Sequence, residues 1–220
     1  MGERMLDKPA VEIYIAQAHK RSYAPRHTIV HAGDVPGSLY LILEGSVSIL
    51  LEDIEGREIV LAYLNPGEFF GEMCLFPELH TRSAIVRTRT ATLVAEMGYR
   101  AFRDHAHEHP EIMFEVAGQL AARLRETSKR LADLAFLDVS GRMTHALLSL
   151  ARQPDAAAHA RGTRVTVSRQ ELARIVGCSR EMAGRVLRKL EEDGMVLTQG
   201  RDLIVLGVTP TLAPRQGTGA

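Results

Sequence analysis

Three polar side chains stand close together in an otherwise apolar stretch of the chain. Glu72 follows the second glycine of GEFFGE, and Arg82 and Ser83 come ten residues later in TRSA. Guanidinium and hydroxyl groups suit a phosphate, and a carboxylate accepts hydrogen bonds from ribose hydroxyls. Gly71 lets the backbone approach such a ligand closely. The stretch predicts an anion site of this kind, with a mutual Glu72–Arg82 salt bridge as the alternative, because burying either charge alone is unfavourable.

A second constellation lies in VSRQELARIVGCSREMAGRVLRKL, near the C-terminus. Ser168 followed by Glu171 is typical of a capping box that begins a helix. Gly177 suits the left-handed residue that ends this helix, and Ser179 can cap the next one. The pattern therefore predicts two helices joined by a tight turn.

The second of these helices combines an apolar stripe with a basic face. The polar face carries Arg180, Glu181, Gly184, Arg185 and Arg188. Arginine can bind guanine through two hydrogen bonds in the major groove, and glutamate can accept from cytosine. Two short strands around Gly200 follow as a wing. Together these features favour DNA binding over the alternative of a solvated basic face.

Composition excludes several classes of protein. The 220 residues can form two small domains, and 27 basic side chains balance 27 acidic ones. Cys74 and Cys178 lie far apart without a CxxC motif, which argues against a disulfide scaffold or a zinc site. No signal peptide or long apolar run is present, so we expect a cytoplasmic protein with no membrane partner.

The histidine-rich segment HAHEH (105–109) is the remaining candidate for chemistry. Its spacing scatters the imidazoles along a helical edge, which favours a solvated face over a metal site. No nucleophile, base and acid occur in a suitable set. We therefore expect no metal site, no catalytic residues and no enzyme activity.

The elements that position these residues change in character along the chain. Between residues 28 and 97, short β-branched and aliphatic runs alternate with turns and predict an antiparallel sandwich or barrel. The turn glycines Gly33, Gly45, Gly56 and Gly67 recur at intervals of 12, 11 and 11 residues. After Tyr99 the pattern becomes helical. These features predict an α+β fold.

A long helix is predicted after Pro110, with one residue in every three or four forming a seam. The seam consists of Met113, Ala117, Leu120, Leu124, Thr127, Leu131 and Leu134. This heptad spacing favours a parallel two-helix dimer contact over packing of the helix on its own β domain. AFLDVSGR (135–142) interrupts the seam and predicts a hinge, where Asp138 or Ser140 caps a new helix. PDAAAHARGT (154–163) is predicted to be a loop.

The motifs GEFFGE, RSA, AFLDVSGR and RQELARIVGCSREMAGRVL occur in an order that resembles the cyclic AMP receptor protein branch of bacterial regulators. The resemblance covers roughly residues 10–207. It implies an N-terminal jelly-roll-like β-roll that binds a cyclic nucleotide, a long dimerisation helix and a C-terminal winged helix-turn-helix. The implied limits are 1–109 for the sensor, 110–137 for the dimerisation helix, 138–208 for the DNA-binding domain and 209–220 for a disordered tail.

The resemblance also implies roles for individual residues. Glu72 matches the ribose contact, Arg82 and Ser83 match the cyclic phosphate contacts, and Gly71 lies beside them. On the dimer helix Arg123, Thr127 and Ser128 match positions that reach the ligand and its adenine, with Ser128 coming from the partner subunit. The implied DNA contacts are Arg169, Gln170, Ser179, Arg180, Glu181, Arg185 and Lys189.

The implied function is that of a homodimeric transcription regulator that binds cyclic AMP and then double-stranded DNA at palindromic TGTGA-like sites. RNA polymerase is a further implied partner, although the loop between Asp155 and Gly162 lacks the threonine and proline usual in the family. Three alternatives remain: cyclic di-GMP or another nucleotide as the ligand, DNA binding without a ligand, and a nucleotide-binding module that regulates a protein partner.

Overall fold

The chain divides into two units within one long helix, between Ser128 and Lys129. The computed structural model describes residues 5–76, 80–200 and 202–208. The predicted domain limits treat the long helix (110–137) as a separate segment, and they stay a prediction. The predicted tail (209–220) lies outside the described residues.

Two four-stranded antiparallel sheets form the framework of the first unit, as the alternating runs and turn glycines predict. The strand order is β1-β8-β3-β6 in one sheet and β2-β7-β4-β5 in the other. The strands are β1 (His19–Tyr23), β2 (Thr28–Val30), β3 (Ser38–Glu44), β4 (Val47–Glu52), β5 (Glu58–Leu64), β6 (Phe69–Phe70), β7 (Ile85–Thr88) and β8 (Thr92–Gly98).

Three helices accompany the sheets, and the third continues into the second unit. They are α1 (Pro9–Gln17), α2 (Tyr99–Glu108) and α3 (Glu111–Phe136). A short 3-10 helix (Glu72–Leu75) follows β6 directly. Successive side chains of a strand point to opposite faces of its sheet. Phe69 accordingly packs in a core with Tyr14, Phe102 and Ile112, whereas Phe70 joins a separate core with Val47 and Val86.

The seam predicted on α3 divides into two parts. Met113 and Leu120 pack against the first unit's own core, beside the buried Ile112 and Val116. The helix therefore packs on its own β domain at its beginning, which was the alternative to a dimer contact. Further along, the seam residues are exposed: Leu124 by 69%, Leu131 by 67% and Leu134 by 57%.

The second unit carries a helical core and a four-stranded antiparallel sheet. Its sheet has the order β11-β12-β10-β9. The elements are α4 (Val139–Leu150), β9 (Ala157–His159), β10 (Gly162–Thr166), α5 (Arg169–Val176), α6 (Arg180–Glu192), β11 (Val196–Gln199) and β12 (Asp202–Leu206). The two predicted wing strands, β11 and β12, lie on either side of Gly200, whose φ is 62°.

The prediction of a loop at 154–163 was wrong for residues 157–159 and 162–163, which lie in strands, whereas the residues between them form turns. Ala157–His159 pairs with β10, with Ala157 opposite Arg164 and His159 opposite Gly162. The segment AAH shows no alternation of apolar and polar residues, so only the pairing with its neighbour makes it a strand. The strand extends the sheet that also holds the wing.

Candidate functional site

Arg82 is buried in the first unit and has only neutral oxygen partners among the described residues. Its side chain donates to the carbonyl oxygens of Ser38 (2.7 Å) and Gly71 (3.2 Å) and to the hydroxyl of Tyr99 (2.7 Å). Arg82 is 7% exposed. Within residues 5–76, 80–200 and 202–208, no carboxylate forms an ion pair with it, so its positive charge is left without a negative counterpart.

Gly71 makes this position of Arg82 possible. Its φ of 86° lies in the left-handed region, and a Cβ there would approach Arg82 Nη1 to 2.6 Å and the Ser38 carbonyl to 3.0 Å. The Tyr99 hydroxyl donates to the Gly71 carbonyl at 2.6 Å. Glycine is therefore required both by the backbone conformation and by the close approach of the guanidinium.

Glu72 pairs with an arginine of α3 and not with Arg82. Its Oε1 accepts from Arg123 Nη1 at 2.8 Å, and the residue is 5% exposed. Arg123 also donates to the Phe69 carbonyl. The predicted alternative of a Glu72–Arg82 salt bridge was wrong, because the partner of the carboxylate comes from a helix 51 residues further along the chain.

The other predicted ligand residues are more exposed. The Ser83 hydroxyl lies 3.6 Å from Met73 Sδ and is exposed. Thr127 and Ser128 are exposed on α3, where the Ser128 hydroxyl donates to the Leu124 carbonyl at 2.9 Å. The structure thus brings together Gly71, Glu72, Arg82 and Arg123 directly, and it leaves the three hydroxyl side chains accessible.

Burial changes the pKa values of tyrosine and glutamate side chains around this site. Arg82 lies 5.8 Å from the ring centroid of Tyr40 and 5.6 Å from that of Tyr99. Burial, reinforced by Glu96, raises the pKa of Tyr40 to about 12. Burial also raises the pKa of the Glu68 carboxyl. Burial raises the pKa of Tyr99 as well, so both tyrosines remain neutral hydroxyls at physiological pH.

Two residues of the site were missed by sequence reasoning. Tyr99 reaches both Arg82 and Gly71. Gln119 on α3 accepts from the Phe69 amide and donates to the Gly67 carbonyl, each at 2.8 Å. Neither contact follows from local spacing, because the partners are 17 or more residues apart in the chain.

The helix pair in the second unit has the predicted caps. Ser168 accepts from the Glu171 amide and Ser179 from the Met182 amide, each at 3.1 Å. Gly177 ends α5 with a φ of 70°. Ala183, Leu187 and Leu190 of α6 are buried. The local signals alone therefore determine where both helices begin and where α5 ends.

A polar groove of about 760 Å³ lies along the exposed face of α6. It is lined by Arg169, Ser179, Arg180, Glu181, Gly184, Arg185 and Arg188. Gln170 and Lys189, also predicted to contact DNA, are exposed on the same two helices but do not line the groove. The groove presents four guanidinium groups and one carboxylate, a composition suited to phosphate and base contacts.

The predicted hinge is held by a cap and an arginine. Asp138 caps α4 by accepting from the Gly141 amide at 2.8 Å. Arg142 donates through Nη1 to the Leu137 carbonyl and through Nε to the Val176 carbonyl, each at 3.1 Å. One side chain therefore joins the start of α4 to the end of α5.

The histidines of HAHEH differ in exposure: His107 is exposed, as predicted, whereas His105 is buried. His105 is 2% exposed, and its ring centroid lies 5.0 Å from that of His109, one helical turn away. Its Nε2 lies 3.0 Å from the Ala10 carbonyl. The prediction was wrong for His105, because α1 covers this side of α2. In the described part of the chain, no group of three or more His, Cys, Asp or Glu residues is arranged to hold a metal ion.

None of the helices that the structure describes is both long and apolar enough to cross a membrane.

Two family models match the chain, one in each unit. The model of the cyclic nucleotide-binding domain matches residues 20–109, which include Gly71, Glu72, Arg82 and Ser83. The model of bacterial regulatory proteins of the crp family matches residues 165–196, which include α5 and α6. The matches therefore coincide with the two candidate sites.

Similar proteins span nearly the whole chain. The cAMP-activated global transcriptional regulator Vfr of Pseudomonas aeruginosa is 47% identical over 88% of this chain and 92% of its own length. The cAMP-activated global transcriptional regulator CRP of Salmonella typhimurium is 43% identical over 94% and 98%. The structure of the c-di-GMP responsive regulator CLP of Xanthomonas campestris is 43% identical over 90% and 98%, with a TM-score of 0.85.

Proposed function

The chain belongs to the crp family of bacterial transcription regulators, which respond to cyclic nucleotides, and from this premise we propose that its own ligand is cyclic AMP. Regulators of this family bind DNA and act as dimers, and they are not enzymes. The proposal concerns three finer points: the identity of the ligand, the residues that bind it and the DNA sequence.

The observation that carries the proposal is the buried positive charge of Arg82, which pairs with no carboxylate among the described residues. A buried guanidinium that contacts only neutral oxygens is unfavourable until an anion approaches it. A cyclic phosphodiester supplies one negative charge and acceptor oxygens for Arg82 and for the exposed hydroxyl of Ser83. The phosphate of cyclic AMP therefore neutralises the charge of Arg82.

The ribose and adenine are assigned to the neighbouring carboxylate and to α3. Glu72 uses Oε1 for Arg123, so Oε2 can accept from a ribose hydroxyl. Thr127 and Ser128 expose hydroxyl groups on α3, where they can bind the adenine, with Ser128 acting from the partner subunit. Because Glu72 is already bonded to α3, ligand binding bears directly on the helix that carries the exposed seam.

DNA recognition is assigned to the groove on α6. Arg180 and Arg185 would donate to guanine and Glu181 would accept from cytosine, which fits half-sites of the TGTGA type. Arg169, Gln170, Ser179 and Lys189 would contact phosphates and fix the helix in the major groove. A dimer presents two such helices, so the site is palindromic.

Cyclic AMP acts by favouring the dimer arrangement in which the α6 helices of both subunits fit successive major grooves. Such coupling requires that the ligand bind one arrangement more tightly than the other. RNA polymerase is the proposed partner at the promoter, although the segment between Asp155 and Gly162 lacks the threonine and proline usual in the family.

Cyclic di-GMP is the second candidate ligand. The structure of CLP, named as responsive to cyclic di-GMP, matches this chain with a TM-score of 0.85. Its two phosphodiester groups would bring two negative charges to a site in which the described residues leave Arg82 without a carboxylate partner. Direct titration separates the two ligands.

The function is tested by fluorescence anisotropy with a TGTGA…TCACA duplex, measured without nucleotide, with cyclic AMP and with cyclic di-GMP. We expect cyclic AMP to increase DNA affinity at least about tenfold, a coupling of about 1.4 kcal/mol. Equal affinity with and without saturating cyclic AMP would contradict the proposal. An increase with cyclic di-GMP alone would establish the second candidate.

The Arg82→Met variant tests the site itself. Methionine removes the charge and retains much of the apolar volume, so the free energy of unfolding should change by no more than about 2 kcal/mol. Cyclic AMP binding, measured by isothermal titration calorimetry, should be lost. The matched control is Arg87→Met, since Arg87 already pairs with Glu58 at 2.7 Å and should not affect the ligand. If Arg82→Met is unfolded at 25 °C, the role of Arg82 is structural.

A further inference from the structure

The strand that leads into the nucleotide site is short and lies at a sheet edge. β6 contains two residues and pairs only with β3, where Phe69 is opposite Leu41 and Phe70 opposite Tyr40. An edge strand presents unpaired amide and carbonyl groups on its outer side. Two residues of pairing give little support to the turn at Gly71 and Glu72 that follows.

Gln119 of α3 bonds the outer side of this strand. Its Oε1 accepts from the Phe69 amide and its Nε2 donates to the Gly67 carbonyl, each at 2.8 Å. In a parallel ladder, one residue of a neighbouring strand bonds a carbonyl and an amide two residues apart in this way. The side-chain amide of Gln119 thus takes the place of a missing strand.

Arg123, one helical turn further on, continues the same row of contacts. It donates to the Phe69 carbonyl and pairs with Glu72 at 2.8 Å. Gln119 Oε1 also lies 3.4 Å from Arg123 Nη2. Gln119 and Arg123 therefore hold the backbone before the site and the carboxylate within it from one face of α3.

We propose that Gln119 is a positioning residue for the nucleotide site, which holds β6 against α3 so that Glu72 meets the ribose hydroxyl. The inference rests on the proposed function for the identity of the ligand. Gln119 itself does not contact the nucleotide. It acts through the backbone of residues 67–72.

Two substitutions remove these bonds in different ways. Gln119→Met keeps the length of the side chain and leaves the Phe69 amide and the Gly67 carbonyl without partners, which is unfavourable in a half-buried position. Gln119→Asn keeps an amide, but its shorter side chain cannot reach both groups. The second variant provides a folded alternative if the first is unstable.

The matched control is Glu115→Met on the same helix. Glu115 pairs with Lys8 at 2.6 Å and so also ties α3 to the first unit, but it has no bond to β6. Loss of this ion pair weakens the attachment of α3 to the first unit without removing a bond to β6. Any effect specific to Gln119 must therefore exceed that of Glu115→Met.

The experiment compares the affinities of cyclic AMP and 2′-deoxy cyclic AMP by isothermal titration calorimetry. Only the first has the hydroxyl that Glu72 would accept from. We expect Gln119→Met and Gln119→Asn to weaken cyclic AMP binding about tenfold and to reduce the preference over the deoxy analogue, whereas Glu115→Met keeps the wild-type preference. A general structural role would weaken both ligands equally, and that result overturns the inference, as does wild-type affinity in both Gln119 variants.

Hydrogen exchange of the Phe69 amide in the ligand-free protein separates this inference from the proposed function. Faster exchange in Gln119→Met but not in Glu115→Met is expected whatever the ligand. If the wild type binds no cyclic AMP, the proposed function fails, and the assignment of Gln119 is then decided by exchange alone. Unchanged exchange at Phe69 overturns it.

Discussion

At the scale of single residues, the nucleotide site keeps apart two opposite charges that lie close together in the sequence. Glu72 and Arg82 are ten residues apart, yet the carboxylate bonds Arg123 and the guanidinium bonds neutral oxygens. Long-range packing decides this choice, because α3 brings Arg123 to the carboxylate. An ion pair within the loop would have neutralised the charge that we assign to the phosphate.

Gly71 provides a test of this arrangement. In Gly71→Ala the new Cβ would lie 2.6 Å from Arg82 Nη1, so the guanidinium must move away from the site. We expect loss of cyclic AMP binding by calorimetry, and a decrease of about 1–3 kcal/mol in the free energy of unfolding from urea denaturation.

Gly33→Ala is the matched control for this substitution. Gly33 has the same φ of 86°, but a Cβ there meets no atom within 4 Å among the described residues. It should therefore share the backbone strain of Gly71→Ala and retain cyclic AMP binding. Equal loss of binding in both variants would show that strain, and not the position of Arg82, is responsible.

At the scale of elements, local signals predicted some structures well and others not at all. The caps Ser168 and Ser179 and the turn at Gly177 form as expected, because each depends on neighbours within three or four residues. The polar strand HKRSY (19–23) gave no signal, and it forms through its pairing with β8. Tertiary contacts override weak local preferences in this way.

The burial of His105 on α2 is another feature that local spacing could not predict. Its Nε2 is held by the Ala10 carbonyl and so carries the hydrogen, while Nδ1 is buried without a partner in the part of the chain that the structure describes. Burial, with a smaller effect of His109, lowers the pKa of His105 below its usual 6.5. The folded protein therefore favours the neutral ring.

A pH dependence of stability follows from this lowered pKa. Below about pH 6.5 the unfolded chain binds the proton more readily than the folded one, so the free energy of unfolding falls as the pH decreases, until the folded form is also protonated. Urea denaturation between pH 5 and 7.5 should show a smaller decrease for His105→Gln than for the wild type. His107→Gln, exposed on the same helix, should behave as the wild type. Identical pH profiles for His105→Gln and the wild type would refute this explanation.

At the scale of the whole molecule, the exposed part of α3 requires a partner surface. Leu124, Leu131 and Leu134 are all more than half exposed in the single chain and follow heptad spacing. Rows of large apolar side chains of this kind are stable in water when a second helix covers them. Because regulators of this family act as dimers, we propose that a second copy of α3 covers these side chains.

Leu131→Glu tests the position of the dimer contact. Burying a carboxylate at the seam is unfavourable, so sedimentation velocity should show a shift from dimer to monomer. The protein concentration at which half of the chains are dimeric should rise at least about tenfold. Phe114→Glu is the control, because Phe114 is 79% exposed on the same helix but lies outside the seam. If both variants remain dimers at micromolar concentration, the chains associate through another surface.

Two hydrogen bonds of Arg142 restrain the junction between α3 and α4. A guanidinium is planar and its donor directions are fixed, so the carbonyls of Leu137 and Val176 are held at a set separation. A rotation of the chain at Leu137 must either displace the end of α5 or break one of these bonds. Gly177 directly follows Val176 and begins the turn that leads into α6. We therefore expect a small rotation at this junction to change the orientation of α6, without any nucleotide contact in the second unit.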